Sequence, residues 1–120
     1  IVLLPKEYSK MKDPKFSKLL KKAAEIYEEH EFEDESLIEV LQEMREIASK
    51  DNDPLVKKVL RFVYEFIEEE GAFDIVWDEE DQEEVDLDPF QYFLQLLEMS
   101  ENKMNREELD KIVEYIRSLY

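Results

Sequence analysis

Three Asp-Pro steps, Asp13-Pro14, Asp53-Pro54 and Asp88-Pro89, each stand directly before a run of apolar residues at helical spacing, and the whole chain holds a single glycine, Gly71. Aspartate is a preferred N-cap, and proline fits the first helical position, where its missing N–H costs no hydrogen bond. One glycine in 120 residues leaves little material for the tight turns that join strands. Three helix starts are thereby predicted. Ser36 with Glu39, and Asn105 with Glu108, have capping-box spacing and mark two more.

The apolar faces follow these starts. Phe16, Leu19, Leu20, Ala23 and Tyr27 recur at helical spacing, as do Leu37, Leu41, Met44 and Ala48, then Leu55, Val59, Phe62 and Phe66. Phe90, Phe93, Leu94 and Leu97 form a fourth stripe, and Leu109, Ile112, Val113, Ile116 and Leu119 a fifth. The pattern predicts helices near 14 to 30, 36 to 49, 54 to 70, 89 to 100 and 106 to 119, with a short helical turn from Pro5. Tyr64 and Tyr92 fall off the main stripes and are expected nearer the surface. Gly71 suits the position that closes the third helix. The fold class expected is all-α: five or six antiparallel helices in a compact bundle or short helix-pair array. The chain reads as a single helical domain, 1–120, with an acidic inserted loop at 71–88. Phe73, Ile75 and Trp77 alternate at the start of that loop, so a short extended segment tucked against the helices is expected there.

Leu37 to Ser49, the turn Asp51-Asn52-Asp53-Pro54, and Leu55 to Glu69 with Val56-Lys57 after the proline are similar to one HEAT-type helix pair. That resemblance covers one pair and implies the array as the architectural alternative. Antiparallel helices in general give the same outline.

Charge is distributed unevenly. The formal net charge is −17, yet residues 1 to 24 carry seven lysines. Between Arg61 and Lys103 there is no lysine or arginine, while residues 62 to 102 hold 15 acids and 8 of the 14 aromatic residues. Binding to phosphate depends on lysine and arginine displacing counterions, so a chain this acidic is expected to bind neither nucleic acid nor an anionic membrane surface. Cysteine is absent, which removes disulfides and thiolate chemistry and fits a reducing compartment. No apolar run is long enough to span a bilayer, and a cytoplasmic protein is the expectation.

Helices prefer acids at the N-terminus and bases at the C-terminus. The first and third expected helices do the reverse. One begins with Lys15 and Lys18 and ends Glu28-Glu29-His30-Glu31; the other begins with Lys57 and Lys58 and ends Glu68-Glu69-Glu70. If short joins make successive helices antiparallel, these acids collect at one end, with Glu33, Asp34, Glu35 and Glu39 beside them. Lys15, Lys18, Arg45, Lys50, Lys57, Lys58, Arg61, Lys103 and Arg106 then lie toward the other. The expected partner-binding residues are Glu68, Glu69, Glu70, Phe73, Asp74 and Trp77, continuing through Asp78, Glu79, Glu80, Asp81, Glu83, Glu84 and Asp86. Carboxylates would steer a basic partner, and Phe73 and Trp77 would anchor it. The plainer reading is a solvated acidic face with both aromatics packed in the core.

Catalytic chemistry finds few residues. His30 is the one histidine, and it reads as a surface residue near a helix end. Zinc sites built on nitrogen and sulfur, and triads with a histidine base, lack their parts. No glycine-rich phosphate loop exists. The acids from Asp78 to Asp88 lack the EF-hand alternation and its glycine, so no metal and no cofactor are expected. The function expected is therefore non-enzymatic: an acidic interaction module, of the inhibitor or immunity type or a mimic of nucleic-acid charge, that binds a basic protein through its acidic end. The alternative is a helical adaptor working through a groove between helices. A monomer is expected, with salt-sensitive head-to-tail association through its unlike ends.

Overall fold

The computed structural model describes residues 13–75 and 88–120. Five helices occupy them: α1 Pro14–His30, α2 Ser36–Lys50, α3 Pro54–Glu70, α4 Pro89–Glu98 and α5 Lys103–Ser118. All three Asp-Pro steps start helices, each aspartate capping the helix that follows. Asp13 accepts from the Lys15 N–H at 2.9 Å, Asp53 from Val56 N–H at 3.2 Å, and Asp88 from Gln91 N–H at 2.8 Å. The Gln91 side chain in turn accepts from the Asp88 N–H at 3.2 Å, which completes a capping box.

The other two helices take caps other than those expected: α2 begins at Ser36 as its spacing predicts, while α5 begins before 106. At α2, Asp34 does the capping: its Oδ1 accepts from both the backbone N–H and the hydroxyl of Ser36, at 2.9 and 2.7 Å. The carboxylate is the stronger acceptor, so the serine hydroxyl donates to it instead of capping the helix itself. At α5, Asn102 caps, accepting from Met104 N–H at 2.9 Å and Asn105 N–H at 3.2 Å, and the helix starts earlier than the expected 106. Asn105 is thereby freed to donate to the carbonyls of Leu96 and Met99, at 3.3 and 3.1 Å, which closes the end of α4 at Glu98.

Gly71 ends α3 with φ of 71°, the left-handed conformation that glycine adopts without a Cβ penalty. The turn of chain after α1 has the same need without a glycine: Glu31 sits at φ 52° and its N–H bonds to the Tyr27 carbonyl at 2.8 Å.

Packing runs round a ring: α1 on α2, α2 on α3, α3 on α5, α5 on α4, and α4 back on α1. The last contact closes a bundle and separates it from an open helix-pair array. Two contacts fix the directions. The N-terminal ends of α3 and α5 are tied by Arg106, whose guanidinium meets Asp53 at 2.9 and 3.1 Å and the Ser100 carbonyl at 3.1 Å. The C-terminal ends of the same helices meet where the Tyr120 hydroxyl donates to Glu70 at 3.4 Å. So α3 and α5 are parallel, while the short joins make α2 and α4 run the opposite way.

The core is built mostly from the expected stripes, with Leu41, Met44, Val59, Phe90, Phe93, Leu97 and Ile112 fully buried; Val63 joins them from outside the stripes, and Leu119 of the fifth stripe is exposed because it lies past the end of α5. Tyr64 is buried as well, against the surface position its spacing suggested, and Tyr92 is half-buried against the core. Among the described residues no helix is long and apolar enough to cross a membrane.

Asp53 serves two roles, capping α3 and holding Arg106, and the two can be separated. An asparagine at this position keeps a capping oxygen but loses the charge, so Asp53→Asn is expected to cost about 1 kcal/mol. Asp53→Ala loses both and is expected to cost about 2 kcal/mol. Urea unfolding of the two variants checks this, and equal losses would show that the cap contributes nothing.

Candidate functional site at the acidic end

The directions of the helices bring the C-terminal ends of α1, α3 and α5 to one end of the bundle, together with the N-terminal ends of α2 and α4. Glu28, Glu29 and Glu31 arrive there from α1, Glu33, Asp34 and Glu35 from the turn, Glu39 from α2, and Glu68, Glu69 and Glu70 from α3. Asp74 follows α3 and is exposed; Asp88 caps α4. Of the expected partner-binding residues, Trp77, Asp78, Glu79, Glu80, Asp81, Glu83, Glu84 and Asp86 lie outside the described residues, as does the turn expected from Pro5.

These acids are of two electrostatic kinds. Asp34, Glu35, Glu39 and Asp88 sit at the positive ends of the α2 and α4 dipoles and are favoured there. Glu28, Glu29, Glu31 and Glu68 to Glu70 sit at the negative ends of α1 and α3, where the dipole opposes them. Among the described residues, none of these six glutamates has an ion pair with lysine or arginine. His30 Nε2 lies 4.0 Å from Asp34 Oδ2 across the α1–α2 turn, an ion pair only when the imidazole is protonated. Hydrogen bonds from the Ser36 hydroxyl and N–H hold the Asp34 carboxyl below the usual carboxylate range, with a smaller contribution from His30.

Beneath the carboxylates lies a cluster of aromatic rings. Phe90 meets Tyr27 at 4.8 Å between centroids, Phe32 at 5.3 Å, Phe73 at 5.9 Å and Phe93 at 6.0 Å. Phe73 also meets Phe66 edge-on at 6.1 Å and Phe93 at 5.9 Å. Phe73 is therefore core: only 3% of it is exposed, and it is not available as a surface anchor. The alternation noted in the sequence explains the outcome, since Phe73 and Ile75 both turn inward and leave Asp74 in solvent.

Two phenols at this end have raised pKa values, in both cases first by burial. The Tyr27 hydroxyl donates to Asp88, and its pKa is raised well above the ordinary phenol value, first by burial and then by the hydrogen bond and charge of Asp88. Tyr120 is raised as well, by desolvation and by Glu70.

The opposite end is mixed, not cationic. Asp51, Asp53, Glu98 and Glu101 stand among Lys50, Lys57, Lys58 and Lys103, and Arg106 is paired with Asp53. The charge contrast behind head-to-tail association is therefore smaller than the lysine positions alone imply.

Two concavities were not singled out in the sequence. A groove of about 550 Å³ runs between α1 and α4, floored by Leu20, Ala24, Tyr27 and Leu94. A smaller one opens between α3 and α5, where Phe62, Phe66, Ile116 and Tyr120 meet Glu65 and Glu69. The staggered spacing of Phe62 and Phe66 with Glu65 and Glu69 was a readable signal for the second. Among the described residues, no three histidines or acids converge as a metal-holding group. Compared with models of protein families, with curated proteins and with solved structures, the chain matches none of them.

The Tyr27 arrangement has a definite pH signature. The fold prefers the neutral phenol, so its contribution is complete below the unfolded value of about 10 and is lost as pH climbs toward the raised folded value. Spectrophotometric titration should find a phenol ionising well above the ordinary value, and Tyr27→Phe should remove that late-titrating phenol. An unchanged late phase in that variant would contradict the assignment.

Proposed function

We propose that this protein is a non-enzymatic interaction module, of the inhibitor or immunity type or a mimic of nucleic-acid charge, whose acidic end binds a basic protein surface. The observation that carries the reading is the set of six glutamates at the C-terminal ends of α1 and α3, opposed by the helix dipoles and without internal cationic partners among the described residues. A local rule broken repeatedly without compensation inside the fold marks a place where function is to be sought. A cationic surface supplies the missing compensation. The same field steers such a partner, raising the encounter rate at low salt by roughly ten- to a thousand-fold. The module acts as a monomer, and the absence of cysteine suits the reducing cytoplasm.

Binding through the α1–α4 groove is the second reading, supported by its apolar floor and its length along two helices. It describes an adaptor, and the two readings respond differently to substitution.

The test is capture at low salt followed by association kinetics with the captured basic protein. Glu68→Lys, Glu69→Lys and Glu70→Lys together should slow association by roughly tenfold or more and flatten its salt dependence. Leu20→Lys in the α1–α4 groove should leave the rate unchanged. Capture of neutral or acidic proteins only, or loss on Leu20→Lys with the triple reversal intact, would sink the acidic-end reading.

A further inference from the structure

The α3–α5 pocket combines two features seen separately elsewhere on the surface. Its walls are apolar: Phe66 and Ile116 are buried, Phe62 is half-buried, and the exposed ring of Tyr120 stands at the mouth. Glu65 and Glu69, one helical turn apart, line one side of it, both exposed and both without an ion pair among the described residues. Its volume of about 310 Å³ lies at the lower end of the range for small-ligand sites, about 300 to 1,000 Å³.

Among the described residues no lysine or arginine lines this pocket, and Arg61 and Arg117 are engaged beside it. Arg61 lies over the Phe62 ring at 5.3 Å from the centroid, and Arg117 at 5.6 Å. Arg117 also approaches Glu114 at 3.8 Å. Phe62 thus already attracts guanidinium groups, as the quadrupole of an aromatic face does. The two carboxylates along the pocket have no ion pair among the described residues. An apolar pocket with paired carboxylates along one side is the complement of one chemical shape, a hydrocarbon stem with a cationic head.

We propose that this pocket receives a lysine or arginine side chain of the basic protein partner, its stem against Phe66, Ile116 and Tyr120 and its charge between Glu65 and Glu69. The proposal rests on the acidic-end reading and sharpens it: the diffuse field of that end steers, and this pocket anchors. It also replaces the anchoring expected of Phe73, which the core has taken.

The test uses hexalysine as the probe, titrated at low salt into the isotopically labelled full chain and followed by amide chemical shifts. Two charge-matched pairs separate the site from the field: Glu65→Gln with Glu69→Gln inside the pocket, and Glu28→Gln with Glu29→Gln on α1 at the same end. All four glutamates lie outside the core, so the fold should persist in both, which thermal unfolding verifies. The expected result is shifts centred on Glu65, Glu69, Ile116 and Tyr120, with affinity weakened about tenfold by the pocket pair and less than about twofold by the α1 pair. Tyr120→Ser, which changes no charge, should weaken binding several-fold. Hexalysine acetylated on every side-chain amine should not bind. Equal losses from the two pairs, with shifts spread over the whole end, would overturn the pocket and leave the acidic-end reading standing. No binding of hexalysine at low salt would overturn both.

Discussion

Phe90 is the side chain on which the acidic end depends. It is fully buried, and its ring touches Tyr27 on α1, Phe32 in the α1–α2 turn, Phe73 after α3 and Phe93 on α4. These are the segments that carry most of the glutamates at that end. Like-charged exposed pairs one turn apart cost a few tenths of a kcal/mol each, and salt screens them beyond about 8 Å. Burying one phenylalanine contributes about 1.5 to 3 kcal/mol, and each ring pair about 0.5 to 1.5 kcal/mol more. The aromatic cluster therefore outweighs the repulsion, and carboxylates can be held close together above it at a cost the fold tolerates.

Helix direction does the rest. Because α2 and α4 begin where α1 and α3 end, two positive dipole ends face the same solvent as the glutamates. They favour Asp34, Glu35, Glu39 and Asp88 and leave the six C-terminal glutamates as the uncompensated set. At the far end the mixture of signs and the Arg106 bridge to Asp53 and Ser100 close the bundle locally. Burial and the Asp53 hydrogen bonds act in opposite directions on Arg106, and the hydrogen bonds prevail, raising its pKa. Among the described residues the far end thus carries both signs and one close ion pair, while the acidic end carries one sign, which is the asymmetry that the proposed function uses.

Helix starts are legible where a single residue can serve as cap. Asp13, Asp53 and Asp88 each precede a proline, and the helices begin where that pairing places them. Sequence reading fails where two candidates compete. Asp34 overrides Ser36 because a carboxylate accepts more strongly than a hydroxyl, and Asn102 overrides Asn105 because Asn105 finds carbonyl partners on α4 that only the folded α4–α5 join supplies. The gathering of acids at one end follows from chain order and antiparallel joins. The alternation of Phe73 with Ile75 already allows the inward turn that ring neighbours from α3 and α4 complete, whereas the α3–α5 pocket shows in the sequence only on its α3 side, because Ile116 and Tyr120 meet it through tertiary register.

Aromatic burial holds together an end whose carboxylates repel one another, so screening that repulsion should stabilise the fold. Urea unfolding in about 0.01 M and about 1 M sodium chloride compares the two regimes, since the screening length falls from about 30 to about 3 Å between them. Stability should rise by about 1 kcal/mol or more with salt, and the gain should shrink when Glu68, Glu69 and Glu70 are replaced by glutamine. Stability that falls with salt, or a gain that the three replacements leave untouched, would contradict this.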